Sequence, residues 1–499
     1  MKRWALAILV LAALFLLLFL GLNLFDVGTG PGIEVPPPAA ASLEPGSGFF
    51  LLWGFAEPPG TDPATEAYGR QVRELFALPR RDSHSRSRFG LWLARLNDDY
   101  RQYWQGASFY FPQLPGEDVA SYFEARRAQV AERQKRFSLL LRRYRGILRA
   151  GEMEDFTPLG WVFPSRSHLL AGNVAKLFAA SRVLAALDGD WLRAGEELLE
   201  AVDAGFRLIA SGRTLTVNTL GKSLVELSLR SSASLLNRCE CPPEFARLVL
   251  ERLAARPARD FGTAAVRAFT MAGFDATLER IKKEGIVDPF LLKDHFRDPA
   301  ALYALERLMA MSGPRFFAAF HALAAFFVQK NESVAMMRAF WDGVGALEEM
   351  PPWRWESAPL RLRRSSDVAA GPFWWLRNPL GKMMVNSAVP FNWPILQHYV
   401  YRSHELKVRH DLTRLLARAR LACRPGAGLD EAALRMLLAA GEEDPFSGAP
   451  FRFDREREVL FSIGPDGIND KGRERPEIWR GSDIAVPIKF VIPGSETKQ

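Results

Sequence analysis

The hydrophobic pattern changes character several times along the chain. Behind Met1-Lys2-Arg3 lies an unbroken apolar run from Trp4 to Leu22. At 1.5 Å per residue it matches a hydrocarbon core of about 30 Å, and it is longer than the core of a cleavable leader. This predicts a transmembrane anchor over 1–26, and the cationic Lys2/Arg3 flank predicts a cytoplasmic N-terminus with the body on the far side. Residues 27–48, with Pro36-Pro37-Pro38 and five glycines, predict a stiff spacer. The apolar segment Phe49 to Phe55 is too short for an independent helix and is expected to dock on the body.

Beyond it the period is helical. Tyr122, Phe123, Val130, Phe137, Leu140, Leu141, Tyr144 and Ile147 recur at three- and four-residue steps, predicting an amphipathic helix between about 118 and 150. Helices over 167–187 and 191–210 around Asp188-Gly189-Asp190 predict an antiparallel hairpin. Further windows at 215–237, 243–255, 262–284, 299–311, 314–329 and 332–349 complete a helical body over 49–349. An aromatic and basic loop over 350–376 follows, then a helical continuation over 377–443, bent at Pro390 and Pro394. The last segment, 444–499, turns to strand chemistry at Phe451-Arg452-Phe453 and Val459 to Ile463. The expected fold class is mainly α: an N-terminal transmembrane helix, a helical-hairpin body of α-solenoid-like or orthogonal-bundle type, and a small C-terminal β module.

Composition narrows the class. Of 499 residues, 48% are hydrophobic and 24% charged, which excludes a disordered, collagenous or polytopic chain. Lys plus Arg exceed Asp plus Glu by 65 − 57 = 8, which permits anionic partners without requiring them. Three cysteines, Cys239, Cys241 and Cys423, are too few for a disulfide framework.

Few residues carry legible chemistry. His404-Glu405 with His410 has the wrong spacing for a zinc protease, because six residues do not place both imidazoles on one helical face. There is no nucleophile elbow, phosphate loop or dinucleotide fingerprint. The window from Glu117 to Ala150 holds nine basic residues against four acidic ones. Its arginines Arg126, Arg127, Arg133, Arg136, Arg142 and Arg143 form a candidate basic surface, either a solvated helix face or a site for anionic lipid or an acidic envelope protein. The expected topology excludes nucleic acid as a partner.

The C-terminal sequence is the most specific. Asp444-Pro445-Phe446-Ser447-Gly448-Ala449-Pro450, then Ser462-Ile463-Gly464-Pro465-Asp466-Gly467, then Asp483-Ile484, resembles over about 45 residues the β-region of type II secretion major pseudopilins. The resemblance implies a hairpin closed by a calcium loop, with Asp466, Asp470 and Asp483 as side-chain ligands. The larger body, through Trp53-Gly54-Phe55-Ala56-Glu57-Pro58 and Asn378-Pro379-Leu380-Gly381-Lys382-Met383, resembles an uncharacterised group of bacterial single-anchor envelope proteins. Together these readings imply a protein of the bacterial inner membrane with a periplasmic body, acting as a helical binding or scaffold protein. The alternatives are an envelope enzyme whose site assembles from residues distant in sequence, or an accessory component of a secretion or pilus system.

Overall fold

The computed structural model describes residues 47–59, 102–104, 106–112, 118–155, 166–284, 328–355, 393–423, 428–473 and 483–492, with isolated positions at 98, 157, 358, 362, 377–378, 381–382 and 384–385. Helices dominate: α1 Gly48–Trp53, α2 Val119–Glu124, α3 Arg127–Arg136, α4 Ser138–Arg149, α5 Arg166–Leu187, α6 Trp191–Ser211, α7 Leu215–Leu236, α8 Pro243–Arg252, α9 Ala264–Glu284, α10 Lys330–Glu349, α11 Trp393–Ala422 and α12 Glu431–Ala439. Two compact units divide the chain: residues 1–36, 267–347 and 356–399 form one, and residues 37–266, 348–355 and 400–499 the other.

The expected N-terminal transmembrane helix is corrected. Among the described residues the one helix apolar and long enough to cross a membrane is internal, Ser167–Leu187 within α5, and 67% of its apolar window is buried inside the protein. Residues 1–46, where the anchor and most of the spacer were expected, lie outside the described residues. Packing accounts for the composition of α5: α2, α3, α4, α6 and α7 all lie against it. A helix with neighbours on most sides is apolar on most faces, so it satisfies the same length and hydropathy test as a membrane span.

In the larger unit, local chemistry sets the helix ends. The hairpin between α5 and α6 turns at Gly189, whose φ of +102° is open to glycine and strained for other residues. Asp118, Thr214 and Asp430 accept hydrogen bonds from the first turns of α2, α7 and α12. Pro243 opens α8, where its missing N–H is no loss. The stretch 118–150, expected as one helix, is three: the backbone leaves helical geometry at Arg126 and at Phe137, and Phe137 is buried in the core. The Phe49–Phe55 segment forms α1 and a 3-10 turn, with Phe49, Phe50, Leu52, Trp53 and Phe55 buried against α4 and α5.

The β module is a three-stranded antiparallel sheet of β2 (Arg452–Asp454), β3 (Val459–Ser462) and β4 (Ile484–Pro487), with Phe453 opposite Leu460 and Ser462 opposite Ile484. Two-residue strands β1 (Leu429–Asp430) and β5 (Val491–Ile492) pair in parallel. Leu460, Phe461, Ile484 and Val486 are buried. Asn237, just after α7, donates to the Pro487 carbonyl at 2.6 Å and accepts from Lys489 N–H at 3.0 Å, fixing the module to the helices.

The smaller unit is organised around Asn378, whose φ is +51°. Its side chain accepts from Gln329 N–H at 2.8 Å and donates to Ser333 Oγ at 2.9 Å. A Cβ at Gly381 would collide with Ser333 Oγ and the Asn378 amide, so the Asn-Pro-x-Gly pattern answers a close approach. Lys330 pairs with Asp275 at 3.2 Å and Glu279 at 2.6 Å.

Candidate functional site

Titratable side chains of the larger unit collect where α7 meets residues 400–422 of α11. Lys222 Nζ donates to Ser403 Oγ at 2.8 Å. Burial pushes the Lys222 ammonium down to about 8, with Glu348 opposing that shift and Arg402 adding to it. Glu348 is held from behind: its carboxylate accepts from Thr263 N–H at 2.8 Å and Thr263 Oγ1 at 2.6 Å, at the start of α9. One turn further along α7, Glu226 pairs with Arg402 and, at 3.6 Å, with Arg409. Burial alone would raise the Glu226 carboxyl; Arg402, Arg409 and Arg230 outweigh it and hold the group below its ordinary value.

An amine whose proton is held less tightly than usual, beside a hydroxyl, is the arrangement of a base and its nucleophile. Here Ser403 and Lys222 are 1% and 4% exposed, so the pair is closed to solvent. No sequence signal marked it, because 181 residues separate the partners.

Two turns on, His410 Nδ1 lies 3.1 Å from Asp411 Oδ1, and Lys407 pairs with Asp411 at 2.5 Å. Asp411 shares a hydrogen bond with Glu442, which also meets Arg414. Burial and the Asp411 charge push the Glu442 carboxyl up; burial acts on Asp411 in the same sense, but His410 and Lys407 hold it down. Of the two carboxyls, Glu442 therefore holds a proton more readily than Asp411. Asp411, Arg414, Arg418, Glu442, Leu438 and Phe451 line a small pocket open to solvent. The two histidines of the rejected zinc pattern are core groups: His404 packs against Trp355 and Phe446, His410 against Phe206 and Phe261.

The basic residues of α3 and α4 fall into two sets. Some serve the fold: Arg127 pairs with Asp188 at 2.5 Å, Arg133 Nη1 donates to Gly106 O at 2.5 Å, and Arg143 holds the carbonyls of Phe55, Glu57 and Pro58 at 3.0, 2.5 and 3.2 Å. Others face solvent: Arg126, Lys135, Arg136, Arg142 and Arg149 are exposed.

In the β module Asp444 binds its own turn. It accepts from Phe446 N–H at 3.0 Å, Ser447 Oγ at 2.8 Å, Ser462 Oγ at 2.6 Å and Ile463 N–H at 3.3 Å. Asp483 opens β4, and its Oδ2 accepts from Gly472 N–H at 2.7 Å while Oδ1 is buried without a hydrogen-bond partner. Burial raises its carboxyl to about 6; the Gly472 N–H opposes this, and the charges of Asp470 and Asp466 add to it. Asp466 Oδ1 accepts from Ile468 N–H at 3.0 Å within its own turn. Asp483 thus feels the charges of the other two aspartates. Among the described residues, however, no group of three or more His, Cys, Asp or Glu side chains is placed to hold a metal ion. The donor chemistry suits calcium, but the three carboxylates are not grouped as a cage for it.

No family model matches the chain, and no curated protein or solved structure matches it.

Proposed function

We propose that the chain is a helical binding scaffold of the bacterial envelope, held at the inner membrane with its body in the periplasm. One contrast carries the reading. The buried charges at Lys222, Glu226 and Asp411 are answered by protein groups, whereas Lys135, Arg136, Arg142 and Arg149 of α3 and α4 are exposed with no acidic partner among the described residues. Chemistry matched internally supports a framework, and an unmatched cationic face supports recognition of an anionic partner. The excess of Lys plus Arg over Asp plus Glu, 65 against 57, supports an anionic surface as the neighbour. Two measurements test this. A reporter active only in the cytoplasm, fused after Gln499, gives no signal, and activity there removes the compartment. Crosslinked membranes yield envelope partners with the wild type that are lost with Arg142→Glu/Arg149→Glu, and indifference to that change removes the recognition face.

The Lys222–Ser403 pair favours a second reading, an envelope hydrolase whose site opens on substrate binding. A fluorophosphonate probe that labels Ser403 in the wild type but not in Lys222→Met supports it; no labelling removes it.

A further inference from the structure

The exposed cations of α3 are not scattered. Arg126, at the entry to α3, begins a stripe that Gln129, Arg133 and Arg136 continue at three- and four-residue steps, along one face of the helix. Tyr122 precedes it, and the Arg126 guanidinium lies 3.8 Å over the Tyr122 ring. Tyr110 packs on Tyr122, ring centres 5.7 Å apart, and is 54% exposed. The Arg133 bond to the Gly106 carbonyl lays the segment 106–112 beside the stripe, with Tyr103, 39% exposed, just before it.

Phenol rings and guanidinium groups side by side on a surface have a specific physical meaning. A tyrosine offers an apolar body and a polar tip, and an arginine a long apolar stem beneath a cation, so both are at home between water and hydrocarbon. Among the described residues neither Arg126 nor Arg136 has an acidic partner, so their charge is available to an anion outside the chain. Glu132 is the one acidic residue of α3. The first described element, α1, packs on α4, the helix that directly follows α3.

We propose that the face formed by Tyr110, Tyr122, Arg126 and Arg136 rests on an anionic phospholipid surface. Headgroup phosphates take the guanidinium groups, and the tyrosine rings sit at headgroup depth. This rests on the reading of a protein held at the envelope membrane, and it names the partner of one part of the basic surface. Each arginine at such a surface contributes on the order of fivefold in partitioning, and the attraction is screened beyond roughly 10 Å at 0.1 M salt.

Hydrogen exchange of the full chain in nanodiscs tests it. Backbone amides over 119–136 exchange severalfold more slowly in discs containing phosphatidylglycerol than in pure phosphatidylcholine, and the difference disappears in about 0.5 M salt. Arg126→Gln/Arg136→Gln loses it while exchange across α5 to α7 stays unchanged, which shows the variant folded. Equal exchange in the two lipids, or protection indifferent to both salt and substitution, overturns the proposal, as does protection arising only when an acidic protein is added. A cytoplasmic reporter signal would remove the compartment assigned above without touching the lipid contact, so the two ideas fail separately.

Discussion

Gly205 of α6 and Gly221 of α7 face each other backbone to backbone: a Cβ on Gly205 would stand 2.7 Å from the Gly221 carbonyl oxygen, and one on Gly221 would stand 2.7 Å from the Gly205 carbonyl oxygen. Each also meets a β-branched side chain, Val225 or Ile209, but the carbonyl oxygens are main chain and cannot swing aside, so relief requires the helices to separate. Alanine in place of glycine inside a helix normally stabilises by roughly 0.5–1 kcal/mol, but overpacking of this kind costs about 1–3 kcal/mol. Gly205→Ala and Gly221→Ala are therefore expected to lower the urea midpoint. Gly172→Ala, whose Cβ would meet Leu220 at an ordinary 3.6 Å, is expected to leave it unchanged or raise it. Denaturation of the three variants side by side checks the contrast.

Lys222 makes a prediction in pH. Its folded value of about 8 lies below that of an unfolded lysine, about 10.4. The folded state therefore holds the proton less tightly, and its stability rises as pH climbs from about 8 towards 10, where the neutral amine is the form the core accepts. Melting temperature from pH 7 to 9.5 should show a rising component in the wild type that Lys222→Met lacks. A component that survives in the variant assigns the rise to another group.

Asp444 carries the closure of the β module. Asp444→Ala removes the acceptor for two backbone N–H groups and two hydroxyls while leaving them in a buried turn. Unsatisfied buried donors cost about 1–3 kcal/mol each before relaxation, and a net loss of about 2–4 kcal/mol is expected. Hydrogen exchange should quicken over β2 to β4 and stay slow over α5 to α7. Uniform loosening would mean that the module and the helices unfold as one.

Legibility followed the range of the interactions. Helices α5 to α8 were readable because apolar period and local punctuation agree there, at Asp188-Gly189-Asp190 and Pro242-Pro243. The breaks at Arg126 and Phe137 were not, since neither carries glycine or proline and Phe137 is drawn out of the helical path into the core. The apolar composition of α5 reads equally as a core helix or a span until its neighbours are known. The strand runs at Phe451–Phe453 and Val459–Ile463 were readable, but the antiparallel return of the strand after Asp483 beside Val459–Ser462 depends on pairing across the Gly464 to Ser482 segment and leaves no mark in local pattern. Ion pairs such as Glu226 with Arg402, 176 residues apart, depend on how α7 and α11 dock and leave no mark in local pattern.

Asp483 decides what the carboxylate cluster is for. Its folded value of about 6 lies above the unfolded value of about 3.9. The proton therefore binds the folded state more tightly: its stabilisation is full below about pH 4 and is lost as pH rises through 6. At pH 7.5 the ionised carboxylate is a net burden, on the order of 1–3 kcal/mol. Asp483→Asn keeps an oxygen for the Gly472 N–H while discarding the charge. The variant is expected to melt higher than the wild type at pH 7.5 and level with it near pH 4. Calcium tests the same point from the other side, because a resident cation would reverse the sign by making the carboxylate the favoured form. With the grouping seen here, millimolar calcium is expected to leave the wild-type melting temperature unchanged at pH 7.5. A rise of several degrees that Asp466→Ala abolishes would restore the calcium site implied by the pseudopilin resemblance, and would recast Asp483 as a ligand instead of a buried charge without a counterion.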